Sequence, residues 1–199
     1  MLADRSVEQR FRHMRKAVAS IALLGLAACA SAPPERAPEP VIPAPVSTAQ
    51  QAVVALASAS GSRVSGRLEI APMGDGVHVA GEVGGLRPLG HYGFHVHERG
   101  DCSAVDASSA GGHFDPTHAP HGRAAHGAHH AGDMDNIEAG ADGVARVNVH
   151  LRGVTLGGAA PNDIAGRAVV VHADADDYRS QPAGNAGARL ACGPIRVTR

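Results

Sequence analysis

The chain has no tryptophan, two tyrosines, three phenylalanines and three cysteines in 199 residues. A core with so few rings must rest on aliphatic side chains. The 44% apolar content supplies enough of them for one domain plus tails. Apolar runs of spanning length are missing too: the uncharged run Ala17–Ala28 falls short of the roughly 20 residues a membrane helix needs. Lysine is almost absent, with Lys16 alone among the 18 basic residues, and the formal net charge is −1 at pH 7. That balance excludes a basic footprint for nucleic acid and an acidic disordered tail. Glycine (25) and proline (13) make the chain turn-rich without making it low-complexity. Histidine is the excess, at 13 residues.

Arg15 and Lys16 precede the run Ala17–Ala28, which ends in small residues and is followed by Cys29. Charge, then a short apolar stretch, then small residues is the order of an export signal. Leu26-Ala27-Ala28-Cys29 resembles the bacterial lipobox, whose cysteine becomes the lipidated first residue. The expectation is a signal peptide over 1–28 with Met14 as the better start, and a lipid anchor on Cys29. Ala30 rather than Asp after the cysteine leans towards the outer membrane. Loss of 1–28 leaves 13 basic and 17 acidic residues, a formal charge of −4. Prolines at 33, 34, 38, 40, 43 and 45 then favour an extended spacer, so 29–50 reads as lipidated terminus and linker. With Cys29 spent, Cys102 and Cys192 remain. In an oxidising compartment they read as a disulfide, with two free buried thiols as the alternative.

From about residue 50 the pattern is short strands and turns. Gln51–Ser58 is an apolar run open to helix or strand. Ser62–Ile70 alternates with period two, and Asp75-Gly76 turns into the alternating Val77–Ala80. Gly90–Glu98, Ala145–Leu151, Ala168–His172 and Leu190–Val197 are further β-like runs. Several short strands without an amphipathic helix predict an all-β antiparallel sandwich or barrel. The stretch from about 99 to 140 has no period and holds six histidines. A loop that long is usually functional or disordered, and the histidines mark this one as the site.

His95 and His97, at i and i+2 on a strand, face one side and can converge on one ion. The loop adds Gly111-Gly112-His113-Phe114-Asp115-Pro116, His121-Gly122 and His130-Ala131-Gly132-Asp133. Later come His172-Ala173-Asp174-Ala175-Asp176-Asp177 and Gly184–Cys192. In order and in spacing, with intervals of 8, 9 and 3 from His113 to Asp133, residues 51–199 resemble the exported bacterial copper/zinc superoxide dismutases.

The resemblance implies an antiparallel Greek-key β-sandwich or barrel with long metal-binding loops. It implies copper on His95, His97, His113 and His172, and zinc on His113, His121, His130 and Asp133, with His113 bridging. That division suits four imidazoles for Cu(II) and three histidines plus a carboxylate for zinc. Asp176 would orient His95 and His121, Cys102 and Cys192 would form the family's disulfide, and Arg189 would be the arginine beside copper. The implied reaction converts two superoxide anions to dioxygen and hydrogen peroxide, with Arg189 and His113 as its catalytic residues. The partner is superoxide rather than nucleic acid. The membrane is met only through the anchor in the periplasm, and a homodimer is allowed without being required. A copper- and zinc-binding lipoprotein without turnover is the rival reading, motivated by the surplus histidines.

His130 is preferred over adjacent His129 because it stands three residues before Asp133, and Asp176 over Asp177 by its offset of four from His172. His78 and His150 read as strand-face residues, and His91 has no evident partner. His118, His126 and His129 read as solvent-facing. Two departures from the family pattern stand out. Asp115 replaces an asparagine, and Tyr178–Ala183 is short and lysine-free, leaving anion guidance to Arg189 with Arg179 as a lesser candidate.

Overall fold

A computed structural model describes residues 46–124 and 126–199. The expected signal peptide, Met14, Cys29 and the proline-rich spacer up to residue 45 lie outside the described residues. The strands are β1 (Ala52–Ser58), β2 (Ser65–Met73), β3 (Gly76–Gly84), β4 (His91–Tyr92), β5 (Phe94–His97), β6 (Ile137–Glu138), β7 (Ala145–Arg152), β8 (Ala168–His172) and β9 (Arg189–Val197). One short 3-10 turn, Ser108–Ala110, interrupts the first long loop.

Gln51–Ser58, open between helix and strand from sequence, is a strand from Ala52. Ala52, Val54 and Leu56 are buried at period two, and β1 pairs with β2 on one side and β9 on the other. Seven strands form one antiparallel sheet in the order β5-β8-β9-β1-β2-β3-β7, and β4 pairs with β6. The bridge Ala139–Ala145 joins the β6 end to β7, so the pairings run round a curled sheet. The core inside it is aliphatic, as the scarcity of rings requires: Leu68, Ile70, Val54, Val77, Val79, Leu156, Ile164 and Ile195, with Phe94 the one fully buried phenylalanine among the described residues.

β5 and β8 are buried on both faces. Phe94, Val96, Val169 and Val171 face the main core. The opposite face presents His95, His97 and His172, with Ala168 and Val170 under a smaller cluster around the Cys102–Cys192 disulfide. The site therefore lies outside the sheet, beneath loops. Ahead of β1, Thr48 N–H and Ala49 N–H both donate to Leu156 O, and Leu156 N–H donates to Ser47 Oγ. The expected linker, drawn through residue 50, thus has its last four residues bonded to the domain or its C-terminus.

Candidate metal centre

The aperiodic loop between β5 and β6 is placed by backbone hydrogen bonds to β5 rather than by a pattern of its own. Phe114 N–H donates to Val96 O and Val96 N–H to Gly132 O, each at 2.8 Å. Gly132 N–H returns to Phe114 O at 2.9 Å. These bonds set His113 opposite His97 and Asp133 opposite His95. Gly132 has to be glycine, since a Cβ there would run into the Val96 carbonyl. From the other side, the register shift between Val171 and His172 pairs His172 with Arg189.

Two buried groups result. His95, His97, His113 and His172 form one, and His113, His121, His130 and Asp133 the other, each with its ligand atoms within 4.8 Å of one another. His113 belongs to both. Its Nδ1 lies 2.8 Å from Asp133 Oδ1, while its Nε2 is buried without a partner. Asp133 also approaches His121 Nδ1 (3.1 Å) and His130 Nδ1 (3.3 Å). Donors about 2.0 Å from one tetrahedral ion are about 3.3 Å apart, so these contacts have the spacing of a shared coordination shell.

The ring nitrogens facing away are engaged. Asp176 accepts from His95 Nε2 at 2.8 Å and from His121 Nε2 at 2.9 Å. His97 Nδ1 donates to Gly111 O at 3.0 Å, and His172 Nδ1 lies 3.4 Å from Gly187 O. The opposite nitrogens of His95, His113, His121 and His130 are buried orphans. Buried polar atoms without partners are costly, and two such nitrogens in each group, of His95 and His113 in one and of His121 and His130 in the other, are explained by a cation in each. Gly184, at φ +64, lets the backbone pass Asp176, whose carboxylate any Cβ there would strike.

Charge follows position. Burial, reinforced by neighbouring imidazoles, pushes His113 down to about 4 and His172 to about 3, and takes His97 well below its usual range. His121 behaves oppositely. Burial opposes its charge, but Asp133 and Asp176 outweigh burial and raise it to about 9. Burial likewise opposes ionisation of Asp133 and Asp176, and their histidine partners hold both far below the carboxylate range. Burial thus keeps His97, His113 and His172 uncharged, while the charge gathers around His121, a protonated imidazole between the Asp133 and Asp176 carboxylates.

Arg189 stands at the mouth, with Nη1 donating to Ala107 O (2.7 Å) and Nη2 to Gly111 O (2.6 Å). Gly111 O therefore serves both Arg189 and His97. Cys192, three residues further along β9, is bonded to Cys102 with a Cα–Cα distance of 5.7 Å, closing the loop that carries those carbonyls. Arg189 lines an open cavity of about 530 Å3 together with His97, His113 and His172, and with Glu98 and Asp115. Arg179 is exposed and is not among its lining residues.

The family model for copper/zinc superoxide dismutase matches residues 64–195. The chain belongs to the copper/zinc superoxide dismutase family. It is 42% identical over 154 residues to a copper/zinc superoxide dismutase of Onchocerca volvulus, covering 72% of this chain and 95% of the relative. It is 43% identical over 136 residues to superoxide dismutase [Cu-Zn] 2 of Aquifex aeolicus, covering 67% and 80%. Among solved structures it resembles a SOD-like protein from Bacillus subtilis, with TM-score 0.65, 37% identity and coverage of 71% and 96%. It also resembles the clock protein EA4, with TM-score 0.67, 37% identity and coverage of 79% and 100%. Membership makes this chain a superoxide dismutase that uses copper and zinc.

Of the paired alternatives, His130 joins the cluster, while His129 bonds Gly127 O outside it. Asp176 bridges two rings, whereas Asp177 caps a turn through Arg179 N–H and Ser180 N–H. Asp115 organises the turn after it, accepting from Ala119 N–H at 3.1 Å and Thr117 N–H at 3.3 Å. His118 and His126 are exposed, and His118 lines the cavity. His78 meets Asn148, His150 meets Met73 O and Asp75, and His91 does have a partner, Glu138 at 3.4 Å. Two residues that sequence reasoning did not single out hold the site's backbone, Asn136 and Gln181.

Proposed function

We propose that this site dismutes superoxide in the bacterial cell envelope, with His95, His97, His113 and His172 holding copper and His113, His121, His130 and Asp133 holding zinc. The observation that carries the assignment is His113, shared by both groups with one ring nitrogen turned to each. Copper held there would supply one-electron redox chemistry towards superoxide, and zinc would stay redox-silent. The chain's own residues do the rest. Arg189 presents a planar, forked cation at the mouth, fixed by two carbonyls, and orients the small anion. His113 Nε2, buried and otherwise unbonded, is where a proton waits between the two half-reactions. Asp176 holds His95 and His121 in the tautomers that aim Nδ1 inward.

Location is part of the proposal. Arg15-Lys16, the apolar run and Cys29 support export by cleavage after residue 28 and lipid attachment at Cys29. Such an anchor would place the enzyme in the periplasm, on the outer membrane, protecting the envelope. Labelled palmitate should enter the full chain and be lost in Cys29→Ser; equal labelling of both would overturn the anchor. The catalytic assignment is tested by loading the protein with copper and zinc and following superoxide decay beside Arg189→Ala. Fast decay in wild type with a slower variant is expected. A wild type that binds both metals and leaves superoxide untouched would leave only a metal-binding role.

A further inference from the structure

Two side-chain amides grip the main chain across the two loops that enclose the metals, and they do so reciprocally. Asn136, at the end of the loop carrying His121, His130 and Asp133, reaches the segment after β8. Its Oδ1 accepts from Asp176 N–H at 2.8 Å and its Nδ2 donates to Asp176 O at 3.0 Å. Gln181, in that segment, reaches back. Its Oε1 accepts from His121 N–H and its Nε2 donates to His121 O, both at 2.9 Å. Each amide thus reads both backbone groups of one residue, as a neighbouring strand would. The residues gripped are the carboxylate that orients His95 and His121, and His121 itself. A third tie runs alongside, since Asn136 N–H donates to Tyr178 OH at 2.9 Å.

We infer that Gln181 and Asn136 are positioning residues that interlock the loop carrying the zinc-group ligands with the loop walling the cavity, so that zinc retention depends on the cavity wall being in place. The inference rests on the zinc assignment proposed above. Gln181 is exposed and lines the cavity, so replacing it removes a clasp without opening the core. The chemistry demands an amide. Glutamate has the same shape, but it offers no donor and would set a carboxylate oxygen against the His121 carbonyl.

The test uses the full chain loaded with copper and zinc, in wild type, Gln181→Ala, Gln181→Glu, Asn136→Ala and the neighbouring control Arg179→Ala. Zinc release into a chromogenic chelator is timed, and the absorption of cobalt(II) placed in the zinc site reports ligand geometry independently of turnover. Gln181→Ala and Gln181→Glu should each release zinc about tenfold faster than wild type, the scale of two partly exposed hydrogen bonds. Their cobalt bands should shift, and Arg179→Ala should match wild type. Asn136→Ala should speed release and disturb the copper spectrum as well, through Asp176 and His95. Wild-type release and cobalt spectra in both Gln181 variants, while Asp133→Ala loses zinc, would overturn the clasp and leave the zinc site standing. Full zinc retention by Asp133→Ala would overturn the zinc assignment and the clasp with it.

Discussion

At the scale of single residues, the metal centre is a set of histidines with opposed charge preferences, and this gives the metal-free protein a defined pH dependence. His113 and His172 are held near 4 and 3 by burial, against about 6.5 in an unfolded chain. As pH falls from 6.5, the unfolded chain takes up protons at these positions and the folded chain does not. Stability then drops by about 1.4 kcal/mol per pH unit for each group. His121 is raised to about 9, so its contribution is complete below 6.5 and is lost as pH climbs towards 9. Asp133 and Asp176, held low, contribute above about 3.9 and lose that contribution in acid. Urea unfolding of the metal-free protein should therefore find greatest stability near pH 6–7, falling steeply on the acid side. A stability that rose from pH 6.5 to pH 5 would contradict this charge assignment. The clustered histidines are legible because their intervals are fixed in the chain, enough to separate His130 from His129 and Asp176 from Asp177. Asn136 and Gln181 are not, because an amide that grips a distant backbone leaves no period and no spacing behind.

At the scale of elements, strands with one wet face announce themselves by alternation, and a strand with two dry faces by an unbroken apolar run. Ser65–Met73 and Gly76–Gly84 alternate because one side meets solvent. Ala168–His172 reads as an unbroken apolar run because both faces are covered, one by the main core and one by the cluster at Cys102–Cys192. The loop from 98 to 136 is legible as a carrier of spaced histidines but has no period, since its placement comes from long-range bonds of Phe114 and Gly132 to β5. The disulfide is the element that joins this loop to β9. Spanning 90 residues, it should remove unfolded-state entropy worth about 4–5 kcal/mol. Its loss frees the segment whose Ala107 and Gly111 carbonyls hold Arg189. Cys102→Ser with Cys192→Ser should lower the melting temperature by about 10–20 °C. It should also cut the dismutation rate while copper stays bound, measured by calorimetry and metal analysis on one sample. A large stability loss with an unchanged rate would separate the disulfide from the arginine.

At the scale of the whole molecule, the question is how an acidic protein gathers an anion. Residues 29–199 carry a formal charge of −4, and the cavity wall adds Glu98 and Asp115 at close range. The far field thus opposes superoxide weakly, and attraction has to be generated within the Debye length of about 8 Å at physiological ionic strength. Besides the metals themselves, Arg189 is the cavity-lining arginine able to supply it. Arg179, exposed and outside the lining, contributes less. Arg189→Ala should lower the second-order rate about tenfold or more and flatten its dependence on salt, because the charge being screened has gone. Arg189→Lys should fall between the two: it restores the charge, but one ammonium cannot reproduce a guidinium fork already committed to Ala107 and Gly111 while facing the anion. Arg179→Ala should cost less than Arg189→Ala. Pulse radiolysis across ionic strength on the metal-loaded proteins measures all four. Retention by Arg189→Ala of both the wild-type rate and its salt slope would move the source of attraction from this arginine to the metal pair alone.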